Sequence, residues 1–431
     1  MASLKKQIKL LLPSSLFKKL VPIWHLSVAV VANVRYGFPS RSMHVIGVTG
    51  TNGKTTTSFM IHTMLSNAGF KSGLMTTVAY GVGDDIVPQV AHMTTASAPL
   101  LQKRLAEFKK QGVEWVVLET TSHALVQHRV WGIPYEIAVM TNITHEHLDY
   151  HGTFEHYIQA KRRLFEIAGK HGMKLGIVNA DDENAAAFEQ DTKHVMTYGI
   201  ASGDLRASDV VLQPDGSQFK ATIDGETYAI HCNIPGEFNV SNSLAAVAVG
   251  RSLGLSPAQI ESGLNSLSGV EGRMDVVSEG QAFSVIVDFA HTPDSFERLL
   301  KDVRTATKGE LIILFGSAGR RDETKRAIQG EIAGRFGDEL VLTEEDDRDI
   351  DGNEILKQIA GGAAKAGKVQ DKNMHLILDR TKAIEFALSL AHSRDDTVML
   401  LGKGHEKTIE RADGEHPWDE VATVRQALKN L

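Results

Sequence analysis

One short stretch constrains the fold more than any other, a Gly- and Thr-rich run from Gly47 to Thr56 that joins an apolar strand to a helical pattern. Glycines let such a loop turn its backbone N–H groups toward phosphate, and the N-terminus of the following helix adds a positive dipole. Lys54 would contact the β and γ phosphates of a nucleotide, and the Thr55 hydroxyl would bind Mg²⁺. The strict pattern has glycine at position 48, where this chain has Val48. The stretch predicts a nucleotide-binding loop.

Strand and helix patterns alternate along most of the chain, which predicts an α/β fold with a mostly parallel sheet. Around the loop, buried strands are predicted at 44–48, 113–120, 137–142 and 175–179, and helices near 55–68, 153–168 and 241–253. Residues 195–235 differ, because short alternating segments with Asp-Gly turns at 215–216 and 224–225 predict an antiparallel meander.

A second alternating series begins after Gly269 and predicts a Rossmann-like C-terminal domain. Its predicted strands are 283–289, 311–315, 339–343, 375–378 and 398–401. We therefore divide the chain into a short N-terminal segment (1–43), a central domain with the phosphate loop (44–270) and a C-terminal domain (271–431).

Composition excludes several classes of protein. The single cysteine, Cys232, excludes a disulfide framework and any multi-cysteine zinc or iron–sulfur site. A net charge of −7 argues against nucleic-acid binding through bulk positive charge. No apolar stretch reaches the about 20 residues needed to span a bilayer, and no signal peptide is evident. We expect a cytoplasmic protein, most simply a monomer.

The N-terminal segment is basic, with seven Lys or Arg and no Asp or Glu in residues 1–43, which leaves −14 on the remainder. One helical face is shared by Leu4, Ile8, Leu11 and Leu12. Pro13 and Pro22 are expected to break the helical pattern. Two interpretations remain open: a helical extension that docks on its own acidic body, or an interfacial helix drawn to anionic lipid. Trp24 and the run 28–34 favour docking.

Acidic and histidine side chains follow two predicted strands, where open α/β sheets build their sites. Glu119 ends one strand, and a second strand ends at Asn142, before the histidine-rich run 145–151. A zinc site is one interpretation of these histidines. A phosphate loop instead predicts Mg²⁺, for which Glu119 is a suitable oxygen ligand. Any single histidine here could equally cap a helix or fill the core.

Lys161 lies on an otherwise apolar face of the predicted helix 153–168. Burial would lower its pKa, and a neutral amine can take up CO₂ to become a carbamate. On the residues alone, we expect the ordinary alternative, in which Lys161 extends its ammonium to solvent.

Taken together, the motifs resemble the Mur ligase family, and most closely its UDP-N-acetylmuramoyl-tripeptide synthetase (MurE-type) branch. The resemblance covers about residues 44–431 and rests on the joint order of separated motifs: TGTNGKTTT (49–57), SHALVQHRV (122–130), HLDYHGTFEHYIQAKRRLF (147–165), NADD (179–182), GEFNVSN (236–242), GRM (272–274), VDFAHTPD (287–294) and GKGHE (402–406).

The resemblance implies an ADP-forming ligase of peptidoglycan precursor synthesis, which adds an amino acid to UDP-MurNAc-L-Ala-D-Glu through an acyl phosphate, with ATP and Mg²⁺. It implies catalytic roles for Lys54, Lys161 and His291, and metal ligation by Thr55, Glu119, His147 and Lys161 as its carbamate. The implied ATP site comprises Gly50, Thr51, Asn52, Gly53, Lys54, Thr55, Thr56, Asn239, Asn242, Arg273 and Asp288. The implied acceptor site comprises Thr94, Thr95, Ser122, Gln127 and Arg129.

The resemblance is less complete for the two other substrates. The implied amino-acid contacts are Arg348, Gly402 and Glu406, and the run Glu345-Asp346-Asp347-Arg348 stands where diaminopimelate enzymes of the family carry Asp-Asn-Pro-Arg. We expect a diamino acid, diaminopimelate slightly before lysine. Residues 1–43 are too short for the family's uridine-binding domain, so a lipid-linked or other non-UDP acceptor stays open.

Three rival interpretations were weighed. A folylpolyglutamate synthase usually reads Gly-Lys-Gly-Ser where this chain has Lys54-Thr55-Thr56, and a cyanophycin-type ligase carries an additional ATP-grasp region. A nucleotide-binding regulatory protein that has lost ligation is the rival from another class. Retention of Lys54, Glu119 and Lys161 argues against it.

Overall fold

The structure, a computed structural model, describes residues 14–89, 93–213 and 215–431. The chain divides into two compact units, one of residues 1–209, 219–230 and 240–267, the other of residues 210–218, 231–239 and 268–431. In the described ranges, no helix has the length and apolar character that a membrane crossing requires. The predicted face of Leu4, Ile8, Leu11 and Leu12 lies outside the described residues.

Helices and strands alternate as the pattern predicts. The helices are α1 (Ser14–Tyr36), α2 (Lys54–Asn67), α3 (Ala98–Lys110), α4 (Ser122–Val126), α5 (Leu148–His151), α6 (Phe154–Ala168), α7 (Ala185–Glu189), α8 (Glu237–Ser252), α9 (Pro257–Asn265), α10 (Pro293–Ala306), α11 (Thr324–Phe336), α12 (Gly352–Lys365), α13 (Arg380–Leu390) and α14 (Glu420–Lys429). The strands are β1 (His44–Thr49), β2 (Ser72–Met75), β3 (Ala79–Val82), β4 (Asp85–Pro88), β5 (Trp115–Glu119), β6 (Tyr135–Met140), β7 (Leu175–Asn179), β8 (His194–Gly199), β9 (Leu205–Gln213), β10 (Gly216–Ile223), β11 (Glu226–Cys232), β12 (Asp275–Val276), β13 (Ser284–Asp288), β14 (Leu311–Phe315), β15 (Glu339–Leu342), β16 (Met374–Leu376), β17 (Thr397–Leu401), β18 (Thr408–Arg411) and β19 (Gly414–Pro417).

The larger sheet has eleven strands in the order β11-β10-β9-β8-β7-β6-β1-β5-β2-β3-β4. Strand β1 lies parallel between β5 and β6, and its buried residues carry the apolar run that the sequence shows. The predicted α/β class with a mostly parallel sheet is confirmed. Because β1 is central, the loop after it opens between the ends of two buried strands, which is where such sheets place ligand sites.

The predicted meander begins later than expected. Strand β8, at residues 194–199, pairs parallel with β7, and β9 pairs parallel with β8. The prediction of antiparallel structure from residue 195 is therefore wrong at its start. Strand β8 lies inside the sheet between β7 and β9, and the Asp-Gly turns that suggest a meander come only after β9. The two-residue turn at Asp224-Gly225, both with positive φ, joins β10 to β11.

The second sheet has six strands in the order β12-β13-β17-β14-β15-β16. Its neighbours from β13 to β16 pair parallel, and β12 pairs antiparallel with β13. Every strand of the predicted second series is present. The two-stranded ribbon of β18 and β19 was not predicted.

Helix α1 continues through Pro22, so the expected break at that residue is wrong. A proline removes one backbone donor and strains one turn at a cost of about 3 kcal/mol, which a helix of 23 residues with a docked face tolerates. That face buries Ala29, Ala32 and Asn33 against Ala98 and Trp131. The Asn33 side-chain amide donates to the Trp131 carbonyl at 2.8 Å. Docking on the body is confirmed for this face. Trp24, Val31 and Val34, which were also expected to dock, are exposed instead, because they lie on the opposite side of the helix.

Candidate active site

The phosphate loop depends on two glycines that no other residue could replace. Gly50 has φ 150° and Gly53 has φ 79°. A Cβ at Gly50 would collide with the Thr141 hydroxyl, and a Cβ at Gly53 would collide with the Asn242 side-chain oxygen. Close approach and backbone geometry therefore both require glycine here.

The rest of the loop is held by the end of β6. Thr51 N donates to the Asn142 carbonyl at 2.7 Å, and Asn52 N donates to the Asn142 side chain at 2.9 Å. Thr56 is buried in the first turn of α2. The loop is thus fastened to the sheet before any ligand is present.

The structure brings Thr55 and Glu119 together. The Thr55 hydroxyl donates to Glu119 Oε2 at 3.0 Å, and both side chains are buried. Oxygen donors from a threonine and a carboxylate, next to a phosphate loop, fit Mg²⁺. Lys54 extends beside them, where its Nζ donates to the Thr51 carbonyl at 2.6 Å.

Lys161 points inward, toward the loop. Its Nζ donates to the Gly50 carbonyl at 2.6 Å, and the side chain is 2% exposed. The expectation that Lys161 reaches solvent is therefore wrong, because the i, i+4 face it shares with Tyr157 and Phe165 packs into the core. Burial, and then the charge of Lys54, hold the pKa of the Lys161 ammonium well below its usual range, against the opposing pull of Glu146 and Glu119.

Three of the histidines form an aromatic cluster with Tyr150. The ring of His123 contacts those of His147, Tyr150 and His151, with centroids 4.1–5.4 Å apart. Across the described ranges, no group of three or more His, Cys, Asp or Glu residues is arranged to hold a metal. His147 has φ 55°, in the left-handed region that histidine adopts more often than most non-glycine residues.

The predicted acceptor residues lie along the ends of β5 and α4. Thr95 donates to the Glu119 carbonyl at 2.9 Å, and the Arg129 guanidinium donates to the Thr95 carbonyl at 2.8 Å and to Gln127. Ser122 is 2.9 Å from His151 Nε2. Thr94, beside Thr95, is half-buried. Thr95 and Arg129, two of the predicted acceptor residues, are thus linked to each other and to the end of β5 at Glu119.

The two predicted adenine-side asparagines lie one turn apart on α8. Asn242 accepts from the Thr57 hydroxyl at 3.2 Å. Asn239 is buried and donates to the Pro235 carbonyl at 2.7 Å.

In the second unit, three predicted residues surround the ring of Phe289. The Arg273 guanidinium lies 4.8 Å from its centroid and the His291 ring 4.7 Å. Asp288 accepts from the backbone of Met274 and Ala290, and burial raises the pKa of its carboxyl. His405, missed by the sequence analysis although it lies in GKGHE, contacts the same ring. Burial lowers the pKa of His405 to about 3.

The predicted amino-acid residues lie among charged partners. Arg348 donates to the Glu410 carboxylate at 2.7 Å and to the Gly319 carbonyl at 2.6 Å. Lys403 bridges Asp346 and Glu406 at 2.9 and 2.7 Å. A Cβ on Gly402 would lie 2.7 Å from the Glu345 carboxylate. The acids and cations of this region are therefore paired with one another.

The sequence analysis missed two residues that position the Glu119 carboxylate and the loop. Thr77 donates to Glu119 Oε2 from both its backbone and its hydroxyl, at 2.9 and 3.0 Å. The Tyr157 hydroxyl is 2.9 Å from the Thr51 hydroxyl. Tyr157 lies within the motif 147–165 without a role implied for it, and no motif marks Thr77.

Comparison with known proteins decides the family. Residues 48–250 match the Mur ligase middle domain, and residues 272–404 match the Mur ligase glutamate ligase domain. A UDP-N-acetylmuramyl-tripeptide synthetase from Roseiflexus sp. is 41% identical over 95% of this chain and 83% of its own. The chain belongs to the Mur ligase family. A UDP-N-acetylmuramoyl-L-alanyl-D-glutamate–2,6-diaminopimelate ligase from Geobacillus thermodenitrificans is 40% identical to this Mur ligase, over 95% of it and 83% of the relative.

Solved structures agree on the fold. A UDP-N-acetylmuramoyl-L-alanyl-D-glutamate–2,6-diaminopimelate ligase, 32% identical, has a TM-score of 0.66 and covers 90% of this Mur ligase and 78% of the solved chain. A folylpolyglutamate synthase from Mycobacterium tuberculosis, solved with ADP, has a TM-score of 0.73 with coverage of 94% on both sides. At 17% identity, the second likeness shows the fold alone.

Proposed function

We propose that this Mur ligase is an ADP-forming tripeptide synthetase, which joins a diamino acid to the D-glutamate carboxylate of UDP-MurNAc-L-Ala-D-Glu. The observation that carries the proposal is the hydrogen-bonded pair of Thr55 and Glu119 at the glycine-containing loop. Lys54 belongs to the same loop, and the buried Lys161 donates to its Gly50 carbonyl. The relatives, which are tripeptide synthetases and diaminopimelate ligases, supply the substrate class, and the matched motifs supply the residue roles.

The chemistry has to bring a carboxylate to a triphosphate, two groups that repel each other. The acceptor carboxylate attacks the γ-phosphorus and ADP leaves, which gives an acyl phosphate. The amine of the incoming amino acid then attacks the acyl carbon, phosphate leaves, and the amine loses a proton. Lys54 would contact the β and γ phosphates, and the backbone N–H groups of the loop would donate hydrogen bonds to the phosphate oxygens.

Thr55 and Glu119 are the residues that would hold Mg²⁺, which when bound offsets the negative charge that accumulates on the phosphates. His147 completes the proposed ligand set. Lys161 is the candidate for carbamylation: a neutral amine adds to CO₂, and loss of one proton leaves a carboxylate in place of a cation. A lowered lysine pKa supports that step, because only the neutral amine reacts.

For the amino acid, we favour meso-diaminopimelate over lysine. Arg348 would pair with the distal carboxylate. The distal ammonium would share Asp346 and Glu406 with Lys403, which bridges the two acids. In the structure the Arg348 guanidinium is paired with the Glu410 carboxylate, so a substrate carboxylate would have to displace Glu410.

A ligation assay tests the proposal. With ATP and Mg²⁺, phosphate release should require both UDP-MurNAc-L-Ala-D-Glu and one amino acid, and the product should have the tripeptide mass. Diaminopimelate should give the highest kcat/KM. ATP turnover that ignores both substrates would favour the regulatory alternative instead.

A second candidate acceptor is lipid-linked, and the outer face of α1 favours it. That face exposes an apolar stripe at helical spacing, formed by Leu20, Ile23, Trp24, Val31 and Val34. The N-terminal segment has only basic charges, so the partner that matches both features is an anionic lipid surface.

We expect the protein to sediment with vesicles that contain anionic phosphatidylglycerol and not with neutral phosphatidylcholine vesicles. Changing Ile23 and Val31, both more than 60% exposed, to serine should weaken this binding at least tenfold, since each buried aliphatic side chain contributes about 1.5 kcal/mol. Val211→Ser, at a similarly exposed position on β9, is the matched control. Equal sedimentation of all variants, or self-association through the stripe, would refute lipid contact.

A further inference from the structure

A cleft of about 590 Å³ lies between α1 and α6, beside the predicted acceptor residues. One wall is apolar and comes from Val21 and Pro22 of α1. The opposite wall is polar and includes His151, His156, Gln159 and Arg163. Among the lining residues whose side chains the structure describes, none is an aspartate or glutamate.

The polar wall is one face of a helix. His156, Gln159, Ala160 and Arg163 stand at i, i+3, i+4 and i+7 of α6, so their side chains point the same way. Ala160 is small and buried, which leaves room between the longer side chains. This face presents a guanidinium, an imidazole and an amide, all able to donate hydrogen bonds.

The cleft is continuous with the predicted acceptor site. The Tyr150 hydroxyl, in its lining, accepts from the Gln127 amide at 3.1 Å. His151, also in its lining, is 2.9 Å from the Ser122 hydroxyl. Ser122 and Gln127 are the residues predicted to hold the peptide end of the acceptor. A ligand bound there extends naturally into the cleft.

We propose that the cleft binds the diphosphate group of the acceptor, with Arg163 as its main charged contact. Among the described lining residues, Arg163 is the one cation, the imidazoles of His151 and His156 and the Gln159 amide lie beside it, and there is no carboxylate. This polar wall suits an anion such as a diphosphate, and the volume of about 590 Å³ leaves room for the groups that the diphosphate joins. The diphosphate can belong to a nucleotide or to a lipid carrier. The inference rests on the proposed function, because it takes the acceptor as a diphosphate ester.

Kinetics of Arg163→Ala test the inference. We expect the KM for UDP-MurNAc-L-Ala-D-Glu to rise about tenfold to a hundredfold, with kcat and the KM for ATP within twofold of the wild type, since charged hydrogen bonds to phosphate are lost. Arg163→Lys should recover part of the loss. Arg162→Ala is the matched control, since Arg162 pairs bidentately with Asp191 at 2.8 and 2.9 Å.

Removing the diphosphate from the substrate gives the decisive comparison. MurNAc-L-Ala-D-Glu should have a raised KM in the wild type, and Arg163→Ala should raise it no further. Equal effects of Arg163→Ala on both acceptors, or an effect no larger than that of Arg162→Ala, would overturn the assignment. A diphosphate lipid analogue in vesicles, compared with the nucleotide, identifies the carrier by its lower KM.

Direct binding separates this inference from the proposed function. Calorimetry with inorganic pyrophosphate and no ATP should show binding to the wild type and Arg162→Ala that is lost in Arg163→Ala. If no acceptor supports ligation but this pattern holds, the proposed function fails and the anion site stands. If ligation proceeds and pyrophosphate binds all three proteins alike, the site assignment fails alone.

Discussion

Replacing Lys54 with alanine should lower kcat about 1,000-fold in the ligation assay, with the protein still folded. The Lys54 ammonium stands at the mouth of the loop, with the Thr51 carbonyl as its hydrogen-bond partner. A lysine in this position offsets the charge on the transferred phosphoryl group, and loss of one such preorganised donor costs about 10²–10³ in rate. Steady-state kinetics at saturating ATP measure the change.

Two further measurements make the Lys54 result interpretable. Lys103→Ala, on the exposed surface of α3, removes the same charge away from the loop and should leave kcat unchanged. Thermal unfolding of Lys54→Ala should lie near that of the wild type, since only one partly buried hydrogen bond is lost. A fall in kcat of less than tenfold would remove Lys54 from the catalytic set.

Replacing Lys161 with alanine should lower kcat about 100-fold or more, and small carboxylic acids such as formate or acetate should restore part of the activity. The reason is the proposed carbamate, whose carboxylate a small acid can replace in the space left by the shortened side chain. Depleting CO₂ from the wild-type protein should lower its activity, and bicarbonate should restore it. Retained activity in CO₂-free buffer, together with no rescue of the alanine variant, would contradict carbamylation.

Stability provides an independent check on Lys161. Its pKa is lowered in the folded protein, so below the ordinary lysine pKa the unfolded chain binds a proton that the folded one does not. The penalty therefore grows as the pH falls from about 10 toward the folded pKa. Lys161→Met lacks this penalty, and urea unfolding should show its advantage over the CO₂-free wild type widening toward neutral pH.

The sequence predicted what depends on pattern and local chemistry. Strand β1, the glycine loop and α2 were found within two residues of their bounds, because buried strands and phosphate loops have strong local patterns. Glu119 was located because it ends a strand next to β1, and parallel neighbours end at the same edge. Mur ligase motifs then supplied the pairing of Thr55 with Glu119.

What escaped prediction depends on contacts distant in sequence. Nothing local shows that Thr77 reaches Glu119, or that Glu410 of the unpredicted β18–β19 ribbon occupies Arg348. The expectation that Lys161 reaches solvent failed for a related reason. An apolar stripe shows which helix face packs inward, but it does not show that the Gly50 carbonyl lies there to accept a hydrogen bond from the ammonium. Pro22 was misjudged because helix α1 is stabilised by docking through Ala29, Ala32 and Asn33 rather than by its own propensity.

The three hydrogen bonds that converge on Glu119 Oε2 have a consequence for the energetics of metal capture. Thr55 donates its only hydroxyl proton to Glu119, so its oxygen lone pairs already face away from the carboxylate. Thr77 fixes the carboxylate itself through two donors. If Thr55 and Glu119 hold Mg²⁺ as proposed, the ion meets side chains that are already ordered, so little conformational entropy is left to lose at that step. Their order is set when the chain folds, so we expect loading of the proposed site to be limited by dehydration of the ion rather than by motion of the protein.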